Sequence, residues 1–369
     1  MTASDIRGTI VQLREKSLLW RTKVDFVCEG GTLVRDISKK KKMSDIARLA
    51  GVSESTVSRA LADSPLINAK TKARIRAIAA EQHYAINRQA QNLRLQSSRT
   101  ISVVIPVDHE PRQHVSDPFF LELIGAIADA LTEAEYDVLL SRVHRESWRA
   151  KVMSQNYVDG VVIIGQSDLH QDIDEFSRQT DIPMVVWGAK LAGQNYVSVG
   201  TDNRKGGSLA SEYLLERGHK RILFLGDCQL PEVGLRYQGY CDAHEATGVA
   251  VSADLCIPCS FVRESAEQAM HKVLDTKLDF DAIFAASDIL ASEVIKQLWA
   301  TNSRTMRSIP VVGFDDISMA SHMAPALTTV SQNIYVAGAS LVDNLLRQIK
   351  GEPVVSEVIQ PKLKIRSSA

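Results

Sequence analysis

Apolar positions along the chain change their period near residue 100. Between Met43 and Ala62 they recur every three or four residues in two short stretches. Ile46, Ala47, Leu49 and Ala50 form one apolar face, and Val57, Ala60 and Leu61 form a second. Glu54, Ser55, Ser58 and Arg59 take the polar side of that second stretch, so the pattern predicts two short helices. Gly51 falls between them, where a left-handed residue ends a helix without steric cost. Val52 plugs the corner, and Ser53 is placed to cap the second helix. Asn68 opens a third predicted helix over 69–83, apolar at Ile75, Ile78 and Ala79 and basic at Lys72, Arg74 and Arg76. Two short helices about a glycine-bearing turn describe a helix-turn-helix, whose second helix enters the DNA major groove. An ordinary helical hairpin has the same outline.

From Thr100 the apolar runs become continuous: Ile101–Ile105, Tyr136–Ser141, Val158–Ile164, Ile182–Trp187, Tyr196–Val199, Arg221–Gly226, Ala282–Ala286 and Pro310–Phe314. Helical stretches alternate with them at Phe119–Glu133, Gly206–Arg217, Leu235–Thr247, 289–301 and 333–350. Strands apolar on both faces and separated by helices predict parallel sheets covered on each side. Roughly 270 residues exceed one ordinary doubly wound sheet, so two lobes are expected. The predicted fold is α/β, an N-terminal helix-turn-helix head followed by a two-lobed core.

Charge sharpens that division. The net charge of −1 hides a balance of +9 over residues 39–99, against +1 over 1–38 and −11 over 100–369. A basic module on an acidic body is the footprint of a DNA-binding head; the run Lys39 to Lys42 reads either as a solvated stretch or, beside a helix-turn-helix, as a source of further phosphate contacts. Residues 1–40 hold scattered apolar positions (Trp20, Phe26, Cys28) without a period and read as a disordered extension. No apolar run is long enough to span a bilayer, and the N-terminus lacks a secretory pattern. Five cysteines in 369 residues suggest a reducing compartment, so the cytoplasm is expected. Cys256-Ile-Pro-Cys259 is a lone C-x-x-C without further ligands at zinc spacing, read as structural. No phosphate-loop, zinc-protease or serine-hydrolase motif occurs, so no enzyme, cofactor or metal is expected.

The order AGVSxxTVSR, then TxxRI, then HYxxNxxAQxLR, almost continuous from Met43 to Leu95, resembles the head and hinge of the lactose-repressor (LacI/GalR) family. The resemblance implies a head over 41–86, a hinge helix and linker over 87–99, and an effector-binding and dimerisation domain over 100–369. It places Glu54, Ser55 and Arg59 at base-reading positions and Thr56 and Ser58 on phosphates. Glu54 departs from the aromatic or basic residue common there, and a carboxylate favours a cytosine amino group. Asn87 caps the hinge segment and counts among the DNA contacts. Leu93 matches the leucine that wedges into the minor groove, and Arg94 follows as a minor-groove or phosphate contact. A core leucine under the linker is the other reading of Leu93.

For the body the resemblance implies the fold of periplasmic sugar-binding proteins, with a ligand between two similar lobes. Effector contacts carry over to Phe119, Phe120, Trp187, Arg236, Ser287, Asp288, Asp315 and Gln332. The aromatics either stack on a ligand or pack in the core. Arg236 stands in the family's R-x-x-G-Y pattern, and Asp315 in Gly-Phe-Asp-Asp is its most typical sugar-ligating position. Gly188 replaces an aspartate common in the family, removing one expected hydroxyl acceptor, and Asp202 is expected at the hinge or rim. The extra C-terminal tetramerising helix of some members is not expected after Ser367. The resemblance therefore implies a homodimeric repressor of carbohydrate-utilisation genes, bound to palindromic double-stranded operator DNA and released by a sugar. A purine-type corepressor-dependent regulator is the alternative. A solute-binding protein, which shares the two-lobed fold, is the rival from another class.

Overall fold

A computed structural model of the chain describes residues 41–82, 84, 97–107, 114–155, 157–166, 169–301 and 303–369. The chain divides into two compact units, Met1–Asn87 and Arg88–Ala369.

In the first unit α1 (Met43–Ala50), α2 (Glu54–Leu61) and α3 (Ala69–Glu81) enclose a small core of Ile46, Ala47, Ala50, Val57, Ala60 and Ile75. Gly51 ends α1 at φ 61°, its N–H donating to the carbonyls of Ala47 and Arg48. Ser53 caps α2 by accepting from the Thr56 N–H at 3.2 Å, and Asn68 caps α3 by accepting from Thr71 at 2.8 Å. Leu49 departs from the expected apolar face and is 51% exposed. The buried arc runs from Ile46 through Ala50 to Ala47, and at 3.6 residues per turn Leu49 lies about 60° outside it. The basic residues of α3 are partly committed to the fold. Arg74 Nη2 donates to the Ala50 carbonyl at 2.8 Å, closing the end of α1, while Lys72 and Arg76 pair with Asp63 at 3.0 and 2.8 Å.

The second unit is built on two six-stranded sheets of matching topology. The first joins β1 (Thr100–Val107), β2 (Asp137–His144), β3 (Gly160–Ile164), β4 (Met184–Trp187), β5 (Val197–Thr201) and β11 (Glu357–Ile359) in the order β2-β1-β3-β4-β5-β11. The second joins β6 (Ile222–Leu225), β7 (Cys256–Ile257), β8 (Ala282–Ala285), β9 (Val311–Asp315), β10 (Thr328–Ser331) and β12 (Lys362–Lys364) in the order β7-β6-β8-β9-β10-β12. All pairings are parallel except β12 on β10. Central strands such as β3 and β8 are buried along their whole length, as continuous apolar runs require.

Helices cover both sheets: α4 (Pro118–Glu133), α5 (Trp148–Met153), α6 (His170–Gln179), α7 (Asn203–Glu216), α8 (Pro231–Thr247), α9 (Arg263–Asp275), α10 (Asp288–Ala300), α11 (Arg304–Arg307) and α12 (Ile334–Ile349). The chain crosses between lobes three times. After β5 it runs into α7, whose Ala210, Leu214 and Leu215 join the second lobe's core. After β10 it returns through α12, whose Ala337, Leu341 and Leu345 belong to the first. The third crossing links β11 to β12. Asp202 marks the first crossing. Its N–H donates to the Ile359 carbonyl at 3.0 Å, and its carboxylate caps α7 through the Lys205 N–H at 3.0 Å.

Candidate functional site

In each sheet the strand order reverses beside the first strand, which opens a crevice at the carboxyl ends of the strands. The two crevices face one another across a cavity of about 330 Å³. Pro106, Gln166, Trp187, Gly188 and Thr201 reach it from strand ends of the first lobe. Asp227, Ser287, Asp315 and Gln332 reach it from strand ends of the second.

An aromatic wall lines the first-lobe side. Asp117 caps α4 by accepting from the Phe119 N–H at 2.9 Å, and Pro118 starts the helix, which turns Phe119 and Phe120 to the cavity. Phe119 lies 5.9 Å from Trp187 and 6.0 Å from Phe120, centroid to centroid, with tilted planes. Phe119 also packs against the cores of both lobes. These aromatics therefore pack in the core and also line the cavity.

Gly188 explains a residue that sequence reasoning missed. A Cβ there would lie 2.5 Å from Cβ of Gln166, so the glycine leaves the space that Gln166 fills. Gln166 Nε2 donates to the Ala189 carbonyl at 2.9 Å and to the Tyr196 hydroxyl, and its Oε1 is buried without a hydrogen-bond partner. The polar group missing at 188 is thus replaced by an amide from the end of β3.

The second-lobe side is polar and charged. Arg236 stands in the second turn of α8, 4% exposed. Its Nε donates to Asn203 Oδ1 at 2.8 Å, Nη1 donates to the Ala286 carbonyl, and the guanidinium stacks 3.7 Å from the centre of the Phe314 ring. Burial pulls its pKa below the usual arginine value, against the opposing pull of Asp315, Glu232 and Asp288. Asn203, the first residue of α7, is a second contributor not foreseen from sequence. Asp315 ends β9 at φ 123°, a backbone region costly for any residue but glycine, and Asp316 follows at φ 60°. Arg366 holds this corner, donating to the Asp316 carboxylate at 2.6 Å and to the Leu327 carbonyl at 2.7 Å. Gln332 Nε2 donates to Asp315 Oδ1 at 2.6 Å. Burial pushes the Asp315 carboxyl up to about 7, with Arg236 and the Gln332 hydrogen bond opposing it.

Seven of the eight residues expected around a ligand line this one cavity: Phe119, Phe120, Trp187, Arg236, Ser287, Asp315 and Gln332. Asp288 does not. It is fully buried, accepting from the Thr329 hydroxyl and, at 3.0 Å, from the Ile317 N–H. Gly313 makes room for it, since a Cβ there would meet Asp288 Oδ1 at 2.3 Å. Burial raises its carboxyl well above the ordinary carboxylate range. Asp288 therefore ties α10 to β9 and β10, and Ser287 caps α10 by accepting from the Leu290 N–H at 3.3 Å. Among the described residues no group of three or more His, Cys, Asp or Glu side chains could hold a metal ion.

In the first unit Glu54, Ser55 and Arg59 are exposed on α2, and Thr56 and Ser58 are half-buried. The Ser55 and Thr56 hydroxyls each lie 2.9 Å from that of Ser53, gathering three hydroxyls at the start of α2. Asn87, Leu93, Arg94 and the rest of the hinge segment up to residue 96 lie outside the described residues.

Fold and site define a protein class: two α/β lobes about a ligand-sized cavity, carried with a helix-turn-helix unit. Residues 42–87 match the family described as bacterial regulatory proteins, lacI family, and residues 211–369 match a periplasmic binding protein-like domain. The transcriptional regulator CelR of Thermobifida fusca is 30% identical over 341 residues, covering 89% of this chain and 98% of the relative. A CelR–cellobiose complex superposes with a TM-score of 0.65 at 29% identity, over 89% of this chain and 100% of that one. A lac repressor dimer bound to operator and the anti-inducer ONPF gives 0.77 at 25% identity, over 89% and 99%. The chain belongs to the lacI family of bacterial regulatory proteins. It is a DNA-binding transcriptional regulator with an effector-binding domain, in a family made of such regulators. No helix among the described residues is long and apolar enough to cross a membrane.

Proposed function

We propose that this chain is a cytoplasmic, homodimeric repressor of carbohydrate-utilisation genes, not an enzyme, which leaves a palindromic operator when a sugar fills the cavity. One observation carries the reading: Phe119 and Trp187 face the cavity from one lobe, and Arg236, Asp315 and Gln332 from the other. Aromatic faces take the C–H side of a pyranose ring, while carboxylate, amide and guanidinium groups take its hydroxyls. The cellobiose in the CelR complex and the operator in the lac repressor complex support the same assignment. Residues 41–86 are the DNA-binding domain in this reading, 87–99 the hinge, and 100–369 the effector-binding and dimerisation domain. Glu54, Ser55 and Arg59 read bases in the major groove, Thr56 and Ser58 hold phosphates, and Asn87, Leu93 and Arg94 serve the hinge contact. Phe119, Phe120, Trp187, Arg236, Ser287, Asp315 and Gln332 bind the effector. Asp288 acts behind them as a positioning residue.

The test is selection of bound fragments from genomic DNA of the source organism, with and without a panel of mono- and disaccharides. One palindromic site beside carbohydrate-uptake genes, lost on addition of one sugar, is the expected result. Retention only when a ligand is added would replace it with the corepressor reading. With the effector in hand, Arg236→Ala should weaken its binding by about 100-fold, the scale of a lost charge-assisted hydrogen bond with an unpaired partner. Wild-type affinity in that variant would remove Arg236 from the site.

A further inference from the structure

Apart from the cavity wall, the second lobe brings two thiols together that the sequence separates by 28 residues. Cys228 Sγ and Cys256 Sγ lie 3.7 Å apart, both half-buried and both free. Cys256 starts the edge strand β7, in register with Phe224 of β6, and Cys228 stands in the loop leaving β6. The C-x-x-C spacing points to a different pair, Cys256 with Cys259. Cys259 is 3% exposed, and its thiol donates to the Ser260 carbonyl at 3.5 Å. The fold thus exchanges the motif partner for Cys228.

We propose that Cys256 and Cys228 form a peroxide-sensitive dithiol, oxidised by hydrogen peroxide to an intramolecular disulfide. The Cys256 thiolate attacks one peroxide oxygen and breaks the O–O bond. A sulfenic acid forms, and the departing hydroxide takes up a proton as water. The Cys228 sulfur then attacks the sulfenic sulfur. The S–S bond forms, and the sulfenic hydroxyl leaves as a second water with the Cys228 proton. Two thiols are oxidised by two electrons, and one peroxide is reduced to two waters.

Three features support the order of attack. The close contact with Cys228, reinforced by Tyr237, lowers the Cys256 thiol against the opposing effect of burial and favours the nucleophilic thiolate. The same contact pushes the Cys228 thiol up, with burial adding to the effect. Burial pushes Cys259 up to about 11, leaving it a poor competitor. Closing the 3.7 Å gap to a bond of about 2.05 Å needs a movement within reach of side-chain rotation at a sheet edge and loop. The bond would tie the 226–230 loop, whose Asp227 and Leu230 line the cavity, to β7.

Full-length protein is treated with hydrogen peroxide, its remaining thiols are alkylated, and tryptic peptides are mapped by mass spectrometry without reduction. The expected product is a Cys228–Cys256 linkage, reversed by dithiothreitol, with Cys28, Cys241 and Cys259 alkylated. In Cys228→Ala the oxidation should stop at a Cys256 sulfenic acid trapped by dimedone. In Cys256→Ala, Cys228 should remain alkylatable. A Cys256–Cys259 or Cys228–Cys241 linkage, a linkage of either thiol to Cys28, or full alkylation of all five cysteines at a peroxide dose that oxidises exposed methionine, would overturn the proposal. Because the wild-type map decides the pairing, the test stands even if a variant folds poorly.

Discussion

Asp315 is a buried carboxylate on the cavity wall. Arg236, Asp288 and Asp117 face it, and Gln332 donates to it. Desolvation outweighs the attraction of Arg236 and leaves the carboxyl titrating at about 7 in the empty cavity. Only the ionised form accepts from ligand hydroxyls at both oxygens. Hydroxyl binding should therefore favour the anion, and a fall in pH through 7 should weaken binding. With the empty-site value at about 7, the dissociation constant should rise about tenfold from pH 8 to pH 6 and level off above pH 8. Asp315→Asn should bind more weakly at pH 8 and lose this slope, as calorimetric titration at several pH values would show. An unchanged slope in the variant would assign the titration to another group.

At the scale of elements, the contact that fixes the site is the crossing of α7 and α8. A Cβ on Gly239 would lie 1.9 Å from the Arg204 carbonyl oxygen, and one on Gly207 would lie 2.0 Å from the Arg236 carbonyl oxygen. Backbone meets backbone at both points, so no side-chain rotation relieves an added methyl group. Gly239→Ala should force the helices apart and carry Arg236, one turn earlier, away from Asn203 and the Ala286 carbonyl. The expected loss is at least the roughly 1–3 kcal/mol of ordinary overpacking, read as a lower urea midpoint together with weaker effector binding. Gly248→Ala, at a left-handed helix end with open space around it, should cost stability without altering effector affinity.

This crossing also marks what the sequence could and could not convey. The R-x-x-G-Y spacing pointed to Arg236, which lines the cavity, but nothing in it named Asn203 as its partner, because that pairing spans two helices. Continuous apolar runs made the central strands legible. Helix α6 was not, since its buried face rests on Ile173 and Phe176 alone. Strands β11 and β12 are only three residues each, with mostly exposed or half-buried side chains, and give no period to read. For Asp288 the position after a strand was visible, whereas its direction, inward to Thr329 and the Ile317 N–H, depends on a glycine 25 residues further on.

The whole molecule is one ligand cavity spanning two lobes and one DNA-binding unit on the same chain. Three crossings join the lobes, and beside the cavity Glu122 of α4 accepts from the Ser318 N–H of the second lobe at 2.7 Å. A ligand held by Phe119 and Trp187 on one side and by Arg236 and Asp315 on the other favours whichever lobe arrangement brings both sets within reach. If operator binding favours a different arrangement, the two ligands oppose each other through a single coupling free energy. Linkage then requires the factor by which sugar weakens operator binding to equal the factor by which operator weakens sugar binding. A factor of about 5–150 is the ordinary range for such coupling. We expect equality within error when operator affinity is measured by fluorescence anisotropy with saturating or no sugar, and sugar affinity by calorimetry with saturating or no operator duplex. Arg236→Ala should lose sugar affinity while keeping operator affinity in the absence of sugar. Sugar affinity unmoved by operator would show that filling this cavity does not control the head, whatever its occupant.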